Sequence, residues 1–220
     1  MNLMETVQEI NIRDVLKFFV PRSSGIVFYD SRVHPGLILF RFLKALLSGG
    51  FSVLLLDYFD TLSLMKYQAE ILDSEIPEEL KVVKIGGEIE VGEILKRMSP
   101  SRTYQIDLRK VCETINSVVA SEEKGVFVIP VGIEKYLALL ELHERIRAAL
   151  FLTKCVTLSH ENMRKVWFVN KEVWHELRPF VPGFVEESML FIAEIIGQKR
   201  VRIKKTIYPE LLGVDVVFDL

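Results

Sequence analysis

Short apolar runs without polar alternation recur along this chain, each followed by a longer segment whose apolar residues fall at helical spacing. Such a run makes a strand covered on both faces, and a mostly parallel sheet between two helical layers supplies that cover. The runs are residues 25–29, 51–56, 126–129 and 166–169, and residues 81–85 read as a further strand. The helices between them are expected over residues 35–47, 61–72, 103–120 and 134–152. Pro35 suits a first helical turn and Gly49 is placed to end the same helix. That helix is apolar on nearly every side, so it belongs between the sheet and a second layer. Asp60 or Thr61 can cap the next one, with Asp60 favoured. In the last, Leu137, Leu140, His143, Ile146 and Leu150 align, which makes His143 a core or interface residue.

The two ends read differently. Residues 5–19 carry Val7, Ile10, Val15, Leu16 and Phe19 near helical spacing, and Pro21 stops them. This gives an N-terminal helix within residues 1–20 ahead of one domain over residues 21–220. Residues 188–196, 201–207 and 214–220 read as an antiparallel meander, although 188–196 also fits a helix. Residues 86–93 read as a turn and a solvated segment. The fold class expected is therefore α/β, a mostly parallel sheet flanked by helices on both faces, with an antiparallel C-terminal extension.

Composition narrows the partners. With 28 basic and 30 acidic residues the net charge is −2, which argues against a strong field for nucleic acid or anionic lipid. Cys112 and Cys155 have neither paired nor metal-type spacing, which fits a reducing, cytoplasmic setting. The start carries Glu5, Glu9 and Asp14 and has no secretory pattern. The greasiest stretch, residues 37–58, is broken by Arg41, Lys44 and Gly49, so no membrane span is expected. Only four Gln and five Asn leave a composition that leans toward a thermophile.

Ligands of such sheets bind beyond the carboxyl ends of the strands. That rule nominates Asp30, Ser31, Arg32, Val33 and His34, then residues 57–61, then 130–132, and finally Asn170 and Lys171.

The order of helix, strand, loop, buried helix, strand with an acidic end, and late C-terminal strands resembles the RecA-like ATPases. The nearest branch is the archaeal KaiC and RadA type, over about residues 20–220. Within that class the chain resembles a small archaeal family of uncharacterised proteins, the domain of unknown function numbered 257. Element order and hydrophobic texture carry the resemblance; no intact motif does. A working phosphate loop reads G-x-x-x-x-G-K-[ST], with backbone N–H groups around the phosphates, Lys on their charge and Ser/Thr on Mg²⁺. On the class pattern Pro35 takes the lysine position and Gly36 the Ser/Thr position, and residues 29–34 contain no glycine. Pro130 stands where the Mg²⁺-supporting aspartate belongs. The class's catalytic glutamate corresponds to the region of Asp57 and Asp60, and its γ-phosphate sensor to Asn170.

Other chemistries lack their constellations. His143 and His175 are each followed by Glu, with no second histidine four residues after either, and Ser23, Ser24 and Gly25 form no nucleophile elbow. No metal and no cofactor are expected. Arg200, Arg202 and Lys204 share one side of a strand, as a solvated face, a contact to a neighbouring subunit or a weak nucleic-acid surface. Trp174, Phe180 and Phe184 cluster around Pro179 and Pro182, as a sealed core edge or a docking surface. The function expected is a non-catalytic RecA-like domain, regulatory or scaffold, acting through a protein or peptide partner or self-association. An atypical nucleotide or phosphate binder, or slow ATPase, using Ser31, Arg32, His34, Asp57, Asp60 and Asn170 is the alternative. A nucleic-acid accessory protein is the third reading, and nucleic acid is the least expected partner.

Overall fold

All five of these segments become strands of one sheet. The computed structural model describes residues 8–72, 74–101, 103–157, 160–177 and 180–218, and of residues 153–157 the backbone alone. Along the chain run β1 (Glu9–Asn11), α1 (Ile12–Val15), β2 (Ser24–Tyr29), α2 (Pro35–Ser48), β3 (Ser52–Tyr58) and α3 (Thr61–Ile71). Next come β4 (Lys81–Ile85), β5 (Glu93–Met98), α4 (Tyr104–Ala120), β6 (Val126–Val131), α5 (Ile133–Ala138) and α6 (Leu142–Thr157). The chain ends with β7 (Met163–Asn170), α7 (Lys171–Glu176), α8 (Val181–Ser188), β8 (Phe191–Gly197), β9 (Arg200–Thr206) and β10 (Asp215–Val217).

The strand order is β1-β10-β9-β8-β2-β7-β6-β3-β4-β5. From β8 to β5 every neighbouring pair is parallel; β8, β9 and β10 pair antiparallel. Successive residues of a strand face opposite sides, and this divides the core in two. Val53 and Leu55 join Phe127, Ile129 and Phe168 under α1, α2 and α3. Leu54 and Leu56 join Val128, Trp167 and Val169 under α4 to α8. Each fully buried Leu or Ile in these layers contributes about 1.5–3 kcal/mol.

Four expectations change. Residues 9–11 form an edge strand that pairs in parallel with β10, Glu9 beside Asp215, and only a short helix follows, capped by Asn11. The open edge of β10 offers unpaired backbone groups, and pairing with them outweighs the weak helical preference of so short a segment. Residues 1–7 lie outside the described residues. The single helix over 134–152 is two helices: Arg145 donates to the carbonyls of Ala138 and Leu140 and so closes α5 before α6 begins. His143 is accordingly exposed beside Glu141, not in the core. Residues 188–196 divide, with α8 ending at Ser188 and β8 beginning at Phe191.

The fourth change is β5, which starts within the segment expected to be solvated. It lies parallel to β4 and is reached by residues 86–92 without a helix. Parallel neighbours ordinarily need a dozen or more connecting residues. Gly86, Gly87 and Gly92, all at positive φ, make the shorter path feasible.

Candidate functional site

The carboxyl ends of β2, β3, β6 and β7 meet where the sheet rule places a ligand. At the end of β2, Asp30 folds back on its own loop and accepts from the Arg32 backbone and guanidinium, both at 2.8 Å. The hydrogen bonds from Arg32 hold the Asp30 carboxyl below its usual range. Ser31 and His34 are exposed; His34 stands at the N-cap of α2 and makes no side-chain cap bond. Pro35 opens the helix without an N–H, and the N–H of Gly36 donates to Gln68 Oε1 of α3 at 3.3 Å. A side chain at position 36 would place its Cβ 1.9 Å from the carbonyl oxygen of Met65. The glycine is there because α3 crosses directly against the start of α2.

The acidic end of β3 is engaged as well. Asp57 and Lys84 are cross-strand partners on β3 and β4, both only 1% exposed, with Lys84 Nζ 2.8 Å from Asp57 Oδ2. Asp57 Oδ1 accepts from the N–H of Leu62 and so caps α3 from outside the helix. Asp60 occupies the N-cap position but makes no cap bond, contrary to expectation. Its φ of 57° turns the carboxylate away from the helix, toward Lys84 Nζ at 2.6 Å and the N–H groups of Glu88 and Ile89. Burial opposes the Lys84 charge, but hydrogen bonds to Asp57 and Asp60 outweigh it and raise the pKa. These same bonds pin the short β4–β5 connection. Gly87 permits this, since a Cβ there would fall 2.4 Å from the Asp60 carboxyl carbon.

Between these two places lies a cleft of about 220 Å³. Its polar wall includes Tyr29, Ser31, Thr61, Gln68, Lys135 and Asn170; its apolar wall includes Val33, Pro35, Leu64 and Met65. Asn170 caps α7, accepting from Glu172 and Val173. Lys135 Nζ donates to Thr61 Oγ1 at 2.9 Å and has no carboxylate within ion-pair distance among the described residues. The preceding residue, Glu134, is completely buried. Among the described residues neither of its carboxylate oxygens has a partner at hydrogen-bonding geometry. Burial lifts its pKa to about 7, although the nearby amides of Glu134 and Asn170 and the charge of Lys135 hold the rise in check. Burial, with the Glu134 charge added, pushes the Tyr29 hydroxyl up in turn.

Of the residues nominated from sequence, the structure gathers Asp30, Ser31, Val33, Thr61 and Asn170 at this cleft, with Arg32 bonded to Asp30. It separates Asp57 and Asp60 into the Lys84 cluster. Glu134 and Lys135 were missed, because Gly132 in a left-handed turn carries them back under the strand ends and nothing in residue spacing announces that. Arg200, Arg202 and Lys204 pair within the chain: Arg202 to Asp215 at 2.7 Å, Arg200 to Glu9 at 3.0 Å and Lys204 to Glu194 at 3.9 Å. Trp174 is core, fully buried and bonded to Glu186, whereas Phe180 and Phe184 remain exposed. Pro179 and the Cys155 side chain lie outside the described residues. Among those described, no group of three His, Cys, Asp or Glu is placed to hold a metal, and no helix is long and apolar enough to cross a membrane.

The strand order and the helices on both faces invite comparison with known proteins. A family model described as "Pyrococcus protein of unknown function, DUF257" matches residues 14–217. The chain belongs to the DUF257 family. A solved protein of Pyrococcus horikoshii OT3 is similar to this DUF257 member at a TM-score of 0.79 and 21% identity, covering 96% of this chain and 100% of that one. The flagellar accessory protein FlaH of Methanocaldococcus jannaschii is similar at a TM-score of 0.51 and 14% identity, covering 90% of this chain and 86% of that one. At these identities the likeness establishes the fold, which is RecA-like. No curated protein matches.

Proposed function

We propose that this DUF257 member is a non-catalytic RecA-like domain that works through protein–protein contacts, as a regulator or scaffold. The observation carrying this reading is the start of α2. Pro35 has no N–H to offer, and the Gly36 N–H is held by Gln68 of the same chain. An amide oxygen of α3 thus stands where the class would bring a phosphate. At the end of β6, Pro130 and Val131 supply no Mg²⁺ ligand. The cleft, at about 220 Å³, is below the range of roughly 300–1,000 Å³ usual for larger ligands. The residues present do not fit a magnesium–nucleoside triphosphate.

Support for contacts comes from α3, whose exposed face carries Leu64, Tyr67 and Ile71, each more than half exposed, and from Phe180 and Phe184. The name of the FlaH neighbour, an accessory protein, is compatible with such a role. The intramolecular pairing of Arg200, Arg202 and Lys204 argues against the nucleic-acid reading. Calorimetric titration with Mg-ATP, beside light scattering with and without the nucleotide, tests the proposal. Absence of heat and an assembly state indifferent to nucleotide are expected; saturable micromolar ATP binding by a monomer would sink it.

A further inference from the structure

The cleft at the strand ends has an unusual balance of donors and acceptors. Gln68 Oε1 is taken by the Gly36 N–H, and Asn170 Oδ1 by the N–H groups of Glu172 and Val173. These bonds fix the orientation of both amides, and neither NH₂ group has a hydrogen-bond partner among the described residues. Thr61 Oγ1 donates to the Tyr58 carbonyl and accepts from Lys135. Lys135 keeps two of its three protons for something else. Asp30, the one carboxylate in the wall, is already neutralised by Arg32. The amide oxygens of Gln68 and Asn170, Thr61 Oγ1 and the Asp30 carboxylate are thus engaged, while the Lys135 ammonium and the two amide NH₂ groups keep donors to spare, beside the Tyr29 and Ser31 hydroxyls and facing an apolar wall of Val33, Pro35, Leu64 and Met65. Beneath lies the buried and unpartnered Glu134, close to Tyr29 and to the backbone of Asn170.

We infer that this cleft is a binding site for a compact organic acid, its carboxylate held by Lys135 with the amides of Gln68 and Asn170, and its short carbon body against Val33, Pro35, Leu64 and Met65. The cleft's volume suits a molecule of a few carbons, and the apolar wall favours a carboxylate with a carbon tail over a bare inorganic anion. Glu134 adds a proton to the binding. An ionised carboxylate in so dry a place repels the ligand's charge, whereas a protonated one does not. Lys135 is the charged side chain acting on Glu134. The elements packed against α5 also bring Asp57 on β3, Lys165 on β7, Glu144 and Arg145 on α6, and Lys171, Glu172 and His175 on α7.

The probe is butyrate, read by the side-chain NH₂ signals of Gln68 and Asn170 in a ¹⁵N correlation spectrum. Saturable shifts of both signals are expected. Lys135→Met, with Lys135→Gln as a second variant should the first fold poorly, is expected to weaken binding roughly ten- to hundredfold, the loss of one charge-assisted bond. Wild-type affinity is expected to fall severalfold between pH 6 and pH 8, and Glu134→Gln to abolish that fall. Inorganic phosphate and Mg-ATP are the comparison arms. Phosphate binding tighter than butyrate would overturn the organic acid, and so would unmoved NH₂ signals or shifts that persist unchanged in both Lys135 variants. Only the Mg-ATP arm bears on the non-catalytic reading, so the two proposals fail separately.

Discussion

Two carboxylates are shut away from water at the same edge of this sheet, and the protein treats them in opposite ways. Asp57 meets the ammonium of Lys84 on one oxygen and the N–H of Leu62 on the other. Glu134 meets no partner at hydrogen-bonding geometry on either among the described residues, only the nearby amides of Glu134 and Asn170. A buried charge with its bonds complete becomes a fixed part of the framework; one without them turns into a neutral acid near pH 7. The difference separates structure from candidate function along one row of strand ends. Asp57 and Asp60, the residues that chain order makes most attractive, fasten α3 and the β4–β5 connection. The residues with capacity to spare, Glu134 and Lys135, sit one strand away.

The sharpest way to break this contrast is to remove the cation. Lys84→Met leaves Asp57 buried without its counter-charge and releases Asp60 from the loop it holds. A loss of about 3–5 kcal/mol is expected, since breaking a buried pair from one side strands the other charge. Denaturant unfolding measures it. A change below about 1 kcal/mol would mean that the cluster is not the pin described above.

Glu134→Gln should act with the opposite sign. The Glu134 pKa rises from 4.5 to about 7 on folding, so the native state holds a proton that the unfolded chain has already released. Stability from this group is therefore full below pH 4.5, falls between 4.5 and 7 and is flat above. A glutamine does not titrate. At pH 8 the variant should be more stable than the parent by on the order of 3 kcal/mol, with little difference at pH 4. Melting curves at the two pH values check both the size and the crossing.

These differences also mark what can be read from sequence. The central strands β2, β3, β6 and β7 were legible because they are buried on both faces and so carry apolar runs, and β4 by the Val-Val-Lys-Ile that follows α3. Strand β5 was not, because Glu93, Lys96 and Arg97 lie at an exposed edge where no such run is needed. Strand β1 has only three residues and exists through its pairing with β10, a tertiary fact. Asp60 looked like a cap because spacing reports position along the chain and is blind to the positive φ that turns the side chain away. Lys84 sits in a strand reading Lys-Val-Val-Lys-Ile, where a lysine ordinarily faces water. Only the neighbouring strand, with Asp57 opposite, places it inside.

The start of α2 offers a smaller perturbation of the same edge. Gly36→Ala pushes a Cβ to 1.9 Å from the Met65 carbonyl, so α3 must retreat and the bond from the Gly36 N–H to Gln68 stretches. An overpacking loss of about 1–3 kcal/mol is expected. A neutral result would show that α2 and α3 are free to part, which would reopen the helix start to an outside anion.

Asn170→Ala is the mildest test and separates two roles of one side chain. The oxygen caps α7 through Glu172 and Val173, whereas the NH₂ group faces the proposed ligand. Loss of an N-cap costs about 1 kcal/mol. Asn170→Asp keeps the capping oxygen, so stability should return to within a few tenths of the parent. The same change replaces a donor by a negative charge facing the ligand's carboxylate, and butyrate binding should stay lost. Recovery of both stability and binding in the aspartate variant would assign Asn170 to the helix alone and leave the cleft with Lys135 and Gln68.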